Sequence, residues 1–132
     1  MSEGHPFRFP AGMPALTYEG LSGLPLYGPE GGHQWRRIGT TVTVEWESAD
    51  LMWPEPRYRV RLYRTTIAYV SATRVSFPVT GDQHQATREW LAQIVHDNRI
   101  GGSVYRHRGV LVIGGDKPLE GHSFPVGAEV RP

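Results

Sequence analysis

The chain has 132 residues, of which 39% are hydrophobic and 11% aromatic, and it contains no cysteine. This length is typical of one domain with a single hydrophobic core. The lack of cysteine excludes disulfides, thiolate metal sites and a cysteine nucleophile, and it fits a reducing compartment. No apolar run approaches the roughly 18 residues of a membrane-spanning helix, and the first residues lack the features of a secretory signal. We therefore expect a soluble protein that is not exported and does not bind a membrane.

Charge is distributed unevenly along the chain. Residues 1–56 carry a net charge of −4, residues 57–108 a net charge of +6, and residues 109–132 a net charge of −1. Thirteen of the 14 basic residues are arginine. Such a charge polarity indicates either an anion-binding face or two segments that pair with each other.

The first 32 residues are rich in glycine and proline. Because proline interrupts helices and central strands, we expect residues 1–32 to form an extended arm rather than a core element. The arm has more large apolar residues than a freely solvated linker, so we expect it to lie against its own domain or against a partner. The arm residues that we select as candidates for binding a protein partner are Phe7, Phe9, Leu24, Leu26 and Tyr27.

Three stretches after the arm show the alternation of half-buried strands. In residues 40–47, TTVTVEWE, two valines and a tryptophan alternate with threonines and glutamates. In residues 57–70, RYRVRLYRTTIAYV, arginines alternate with apolar residues, and a phase shift near residues 64–66 predicts a bulge or a turn between two strands. Residues 73–79 predict a further strand, for which Pro78 indicates a position at the edge of the sheet.

The segment between the first two strands, residues 48–56, contains one aspartate and two prolines that end the first strand. Its apolar residues are expected to fold back as a flap. An exposed flap would have the aromatic and methionine content of a protein-binding hot spot, whereas a buried flap would only close one end of the core. The flap residues that we select as further protein-binding candidates are Leu51, Met52 and Trp53.

One amphipathic helix is predicted. It begins near Asp82, where Gln85 three residues later completes a capping box. It ends near Asn98, because asparagine and the Gly101-Gly102 pair accept the left-handed conformation of a C-cap. The residues of its apolar stripe, which we expect to pack on a sheet, are Trp90, Leu91, Ile94 and Val95.

The C-terminal part of the chain predicts a hairpin followed by a tail. Strands 103–106 and 109–113 are joined by a turn at Arg108-Gly109, and residues 117–132 are expected to have little regular structure. One helix among several strands with short connections indicates the α+β class. We therefore predict a small antiparallel sheet of four to six strands, one α-helix packed on it, and the N-terminal arm.

These elements divide the chain into three predicted parts. Residues 1–32 form the arm, residues 33–116 the α+β core domain, and residues 117–132 the C-terminal tail.

Three segments within about residues 57–113 read YRVRLYRTTIAYVSATRVSF, TREWLAQI and VYRHRGVLVI. They resemble small uncharacterised domains encoded by bacteriophages and by mobile elements of actinobacteria and archaea. Those domains show a strand with a T-x-I-A-like segment, a second strand, a helix that starts with Thr-Arg, and a closing hairpin. The resemblance implies a mobile-element origin and supplies no activity. The expected location is the cytoplasm or a phage particle.

The arginine-rich strand allows two interpretations. If residues 40–47 pair antiparallel with residues 57–64, Glu45 and Glu47 neutralise part of the arginine face, at roughly 0.2–1 kcal/mol for each cross-strand pair. If arginines remain free, they bind phosphates while tyrosines stack on bases, and Arg74 would add to them if it shares the face. The pI of 8.2 is below the value of about 9 that is usual for nucleic-acid-binding domains, which favours the neutralised face. The candidates for nucleic-acid binding are Arg57, Arg59, Arg61, Tyr63, Arg64, Tyr69, Arg106 and Arg108.

The sequence carries no specific signal for catalysis. It has no nucleophile-elbow, Walker or dinucleotide-binding motif, and its six histidines lack the spacing of a metal site. A Ser-His-Asp arrangement forms only in space and cannot be read from sequence. Glu45 and Glu47 lie beside arginines that would keep both ionised, which does not suit a general acid. We predict no catalytic residue, no metal ligand and no cofactor.

Three hypotheses for function remain. The leading one is a non-enzymatic interaction protein of phage or mobile-element type, which docks on a protein partner or on itself through the arm and the flap. The alternative is a nucleic-acid-binding module that uses the arginine and tyrosine face. The third is a hydrolase with an unrecognised site.

Overall fold

The computed structural model describes residues 7–29, 32–78, 84–101, 104–108, 110–114 and 117–129. Within these ranges the chain forms two helices and nine strands. The helices are α1 (Tyr18–Ser22) and α2 (Gln85–Asp97). The strands are β1 (Gln34–Ile38), β2 (Val42–Glu47), β3 (Arg57–Leu62), β4 (Thr65–Ser71), β5 (Arg74–Phe77), β6 (Val104–His107), β7 (Val110–Ile113), β8 (Lys117–Pro118) and β9 (His122–Pro125).

The strands form two antiparallel sheets. The larger has the order β1-β2-β3-β4-β5-β9, and the smaller has the order β6-β7-β8. This architecture confirms the predicted α+β class built mainly on an antiparallel sheet. It differs from the prediction in having a second sheet and a second helix, α1.

The alternation of apolar and polar residues sets the register between β2 and β3. Val44 lies opposite Val60 on the buried face, whereas Glu47 lies opposite Arg57 on the other face. The predicted break after β3 is confirmed, because a turn with Tyr63 at a φ of 55° leads into β4. The register between β3 and β4 also shifts next to Val60, so one stretch of alternating sequence becomes two strands.

The structure corrects two predictions near β5. The edge position inferred from Pro78 is wrong, because β9 pairs with the outer side of β5. Pro78 follows the last residue of the strand, where its missing N–H removes no bond from the ladder. The expectation of little regular structure in residues 117–132 is also wrong, because β9 lies there and Phe124 packs in the core opposite Val75.

The predicted helix is α2, and its apolar stripe is buried as expected. Its N-cap is His84, which makes no capping bond through its side chain, and Asp82 lies outside the described residues. Asn98 is the C-cap, as predicted, but its φ is −88°, and Arg99 with a φ of 56° takes the left-handed position that we expected of an asparagine or a glycine. The predicted hairpin is β6 and β7, with Arg108 in the turn.

The described part of the N-terminal arm, residues 7–29, packs on its own domain. Leu16 and Leu21 are fully buried in the core, and Phe9 packs edge-to-face on Trp90 of α2 with ring centroids 5.1 Å apart. The segment between the prolines at positions 14 and 25 is long enough for α1, whose N-terminus is capped by Thr17. The expectation that the arm is not a core element is therefore wrong for its described residues, because the spacing of the prolines leaves room for a helix and for buried leucines.

The arm is also tied to the C-terminal end of α2 by hydrogen bonds. The Leu16 N–H donates to Oδ2 of Asp97, and the Leu16 carbonyl accepts from Nδ2 of buried Asn98, each at 2.9 Å. These bonds satisfy backbone groups that the packing of Leu16 removes from water.

We predict that Leu21→Ala lowers the free energy of unfolding by about 2–5 kcal/mol, because it leaves a cavity in the core. Leu51→Ala, at a fully exposed position, is the matched control and should change it by less than about 0.5 kcal/mol. Urea unfolding followed by tryptophan fluorescence measures both. Equal effects of the two substitutions would contradict a structural role for the arm.

Candidate functional site

The face of the larger sheet that points away from the core is polar. It runs from the glutamates of β2, across the arginines of β3, to the hydroxyl groups near β9. Its side chains are Thr43, Glu45, Glu47, Arg57, Arg59, Arg61, Tyr69, Ser71, Arg74, Ser76 and Ser123. We call this surface the arginine face.

Each arginine of β3 forms an ion pair with a glutamate of β2. Glu47 binds Arg57 through Oε1 at 2.8 Å and Arg59 through Oε2 at 3.0 Å. Glu45 binds Arg61 at 2.8 Å. None of these side chains is more than 34% exposed, so solvent screens the pairs less than it screens fully exposed ion pairs. The predicted pairing of the arginines with the neighbouring acidic strand is confirmed, and it neutralises them in part because three guanidinium groups share two carboxylates.

Arg57 is held between two aromatic rings. Its guanidinium carbon lies 3.7 Å from the ring centroid of Trp53 and 3.7 Å from that of Tyr69, and the two rings are 20° from parallel. Its side chain is only 10% exposed. Cation–π contacts of a desolvated arginine contribute about 2 kcal/mol each. The sandwich fixes Trp53, and with it the loop between β2 and β3, over the arginine face.

The loop is further fixed by a turn at Asp50. Oδ1 of Asp50 accepts hydrogen bonds from the N–H groups of Met52 and Trp53, both at 2.8 Å. The Asp50 N–H donates to the Trp53 carbonyl at 2.8 Å. This arrangement, in which an aspartate side chain bonds the backbone that follows it, closes a tight turn. The turn leaves Leu51 and Met52 in solvent, with exposed fractions of 103% and 82%.

A groove of about 350 Å³ lies between the loop and strands β4, β5 and β9. One part of it is apolar and aromatic, and the other carries hydroxyl and charged groups. Its lining residues are Met52, Trp53, Pro54, Glu55, Arg57, Tyr69, Ser71, Thr73, Arg74, Ser76 and Ser123. We call it the loop groove.

The charged part of the loop groove contains Glu55 and Arg74. Hydrogen bonds from the hydroxyl groups of Ser71 and Thr73 lower the pKa of Glu55, and the charge of Arg74 adds a smaller effect in the same direction. Nε of Arg74 donates to Oγ of Ser123 at 3.0 Å, which orients the guanidinium. Glu55 is therefore bound by hydroxyl groups, and Arg74 is positioned by a neutral one.

The structure separates the predicted protein-binding residues into two groups. In the arm, Tyr27 is exposed beside β1, and its ring contacts that of Trp35 at 5.3 Å. The loop residues lie over β3 and β4 instead, where Trp53 meets Tyr69. The remaining arm candidates are half-buried against the core; they are Phe7, Phe9, Leu24 and Leu26.

The structure places the predicted nucleic-acid-binding residues on three parts of the fold. Tyr69 lies on the arginine face with the three paired arginines of β3. Tyr63 and Arg64 are exposed in the turn after β3, at the opposite end of that strand from the loop. Arg106 and Arg108 belong to the hairpin of the smaller sheet.

The glutamate, serine and threonine residues of the loop groove were not among the predicted site residues. Glu55 lies between two prolines in a segment without periodicity, and Ser123 lies in the part that we expected to be irregular. Arg74 was expected to join the arginine face if it shared it, and the alternation of β5 does place it on the face opposite buried Val75 and Phe77.

No protein-family model, no curated protein and no solved structure matches the chain. In the described ranges, no helix has the length and apolar character to cross a membrane. The same ranges hold no group of three histidine, aspartate or glutamate side chains placed to bind a metal ion. The geometry of the arginine face and of the loop groove is therefore the basis for a functional proposal.

We predict that Arg57→Lys lowers the free energy of unfolding by about 1–3 kcal/mol, because an ammonium group cannot stack between two rings. Arg64→Lys, in an exposed turn, is the matched control and should change it by less than about 0.5 kcal/mol. Urea unfolding measures the free energy of unfolding of both variants. An Arg57→Lys variant as stable as the wild type would rule out a stabilising sandwich.

The lowered pKa of Glu55 gives a pH prediction. A carboxyl group whose pKa is lower in the folded state stabilises the protein above its ordinary pKa of 4.5, and this contribution disappears as the pH falls through the folded pKa. Glu55→Gln should therefore be less stable than the wild type at neutral pH, and the difference should shrink in acid. Thermal unfolding of both proteins between about pH 7 and pH 3 tests this, and a pH-independent difference would contradict it.

Proposed function

We propose that the chain is a small non-enzymatic interaction protein of phage or mobile-element type, which binds a partner protein through the loop between β2 and β3. The observation that carries this proposal is the exposure of Leu51 and Met52 on a loop that is held in place on both sides. The turn at Asp50 fixes the backbone, and the contact of Trp53 with Arg57 fixes the base of the loop.

A fixed apolar tip suits binding for two physical reasons. Burying a leucine or methionine side chain in an interface stabilises the complex by roughly 1.5–3 kcal/mol for each residue. Binding also costs less conformational entropy when the loop is already ordered before the partner arrives. Methionine, tryptophan and arginine, which meet at this loop, are types enriched in interfaces.

The arm supports the fold in this proposal and does not dock on the partner. Its candidates Phe7 and Phe9 contact Trp90 of α2, and Leu16 and Leu21 are fully buried. Deleting the arm would expose the core, so loss of binding by such a deletion would not identify a docking site.

The two other hypotheses receive less support. Stacking on bases requires free ring faces, but Arg57 occupies the facing sides of Trp53 and Tyr69. The arginines of β3 are engaged by Glu45 and Glu47. For a hydrolase, the described lining of the loop groove lacks a histidine that could act as the base for a serine.

Site-specific photo-crosslinking tests the proposal. We expect benzoyl-phenylalanine at position 52 to crosslink the chain to a partner protein in its host cells, because this position lies at the exposed tip of the loop. The same group in place of Tyr63, exposed at the other end of β3, is the control and should give no such product. Adding Leu51→Ser to the variant with benzoyl-phenylalanine at position 52 should reduce the amount of crosslinked product, because it removes an apolar side chain from the tip of the loop.

Equal crosslinking from positions 52 and 63, or none from either, would contradict the proposal. A product of twice the chain's mass would show that the partner is a second copy.

A further inference from the structure

Positive charge exceeds negative charge around the loop groove. Arg57 and Arg74 line the groove, and Arg59 lies next to Arg57 on the same strand face. Glu47 is shared by Arg57 and Arg59, Glu45 pairs with Arg61, and Glu55 accepts from two hydroxyl groups. In the described part of the chain, the four guanidinium groups of Arg57, Arg59, Arg61 and Arg74 therefore stand beside three carboxylates. The groove and its immediate surroundings therefore carry a net charge of +1, which favours an anionic ligand group.

Arg74 is the cation best placed to meet such a group. Its side chain is held through Nε by Ser123, and it forms no ion pair within the described ranges. The two terminal nitrogens of a guanidinium group match the two oxygens of a carboxylate in a bidentate contact. The residue is exposed and already oriented, so little order has to be gained on binding.

The opposite part of the groove is apolar. Met52, Trp53 and Pro54 form it, next to the exposed side chain of Leu51. A ligand that uses both parts must combine an acidic group with an apolar one. Acidic and apolar side chains a few residues apart in an extended peptide meet this requirement.

The adjacent sheet edge argues for recognition by side chains. β9 is the last strand of the larger sheet on this side, and it ends with Pro125. Proline has no N–H group to donate to an added strand, and prolines at sheet edges prevent such pairing. A segment bound next to β9 therefore depends on the side-chain contacts of the loop groove.

We infer that the loop groove binds an extended, acidic segment of the partner protein, with a carboxylate on Arg74 and an apolar side chain against Met52 and Trp53. This inference rests on the proposed function and adds the chemistry of the partner. A phosphate backbone offers anionic groups as well, but it offers no apolar side chain to the loop.

A random-peptide display library selected on the full wild-type chain supplies the probe. Peptides that are enriched should contain aspartate or glutamate together with leucine, phenylalanine, methionine or tryptophan. The affinity of each synthetic peptide is then measured by fluorescence anisotropy for the wild type, Arg74→Gln, Arg74→Lys and Arg64→Gln. Circular dichroism melts check that all variants are folded.

We expect Arg74→Gln to weaken binding roughly tenfold, as the loss of one charge-assisted contact does, and Arg74→Lys to restore part of the affinity. Arg64→Gln is a matched loss of charge at an exposed arginine away from the groove, and it should leave the affinity unchanged. Replacing the peptide's acidic residues by their amides should weaken its binding to the wild type. The same replacement should not weaken its binding to the Arg74→Gln variant any further, because the cation that the acid contacts is already absent.

The display experiment would overturn the inference if it enriched no peptide or only peptides without acidic residues. Equal effects of Arg74→Gln and Arg64→Gln on affinity would overturn it too, as would binding of a single-stranded oligonucleotide that Arg74→Gln abolishes.

A dimer in light scattering that Leu51→Ser dissociates would also overturn the inference, because the occupant would then be a second copy. Neutral peptides that lose affinity for a Leu51→Ser variant would overturn the acidic chemistry and leave the proposed function intact. Peptides whose affinity is unchanged by Leu51→Ser would count against both the inference and the proposed function.

Discussion

The burial of the Arg57 guanidinium organises the surface on which the proposed function depends. Removing such an ion from water costs several kcal/mol unless partners replace the lost solvation. Glu47 on β2, Trp53 in the loop and Tyr69 on β4 together provide that replacement. The side chain of Arg57 thus connects β2, β4 and the loop between β2 and β3.

This arrangement determines which groups remain available for recognition. The glutamates of β2 occupy the arginines of β3, so the most basic stretch of the sequence acts mainly inside the molecule. The loop over the arginines is fixed at Asp50 and Trp53, and its two apolar residues between those points stay in solvent. Nη1 of Arg57 and Nε of Arg59 are buried without a hydrogen-bond partner among the described residues, so aromatic contacts and the ion pairs carry their electrostatic compensation.

Local periodicity predicted much of the fold. Alternation in residues 40–47 and 57–62 gave β2, β3 and the pairing of their charges, and the apolar stripe around Trp90 gave α2. β9 escaped prediction because it is short and Phe124 is its single buried residue. Pro78 gave a wrong prediction of an edge strand, because the sequence alone does not distinguish a proline just after a strand from a proline within an edge strand.

The candidate site was predictable only in part, since its contacts join segments that are distant in sequence. Composition indicated that Leu51, Met52 and Trp53 suit an interface, but not whether they are exposed. Their exposure follows from the contact of Trp53 with Tyr69, 16 residues later, and from hydrogen bonds that no periodicity encodes. The loop groove likewise needs β9, which the sequence did not reveal.

A double-mutant cycle between Arg57 and Glu47 tests the central claim most directly. Arg57→Met, Glu47→Gln and the double variant are unfolded in urea, and the coupling free energy is taken from the four stabilities. Internal neutralisation of the arginine face predicts a favourable coupling of roughly 0.5–3 kcal/mol. A coupling of zero within error would show that the arginine is not held by the neighbouring strand, and the surface described here would then have to be reassigned.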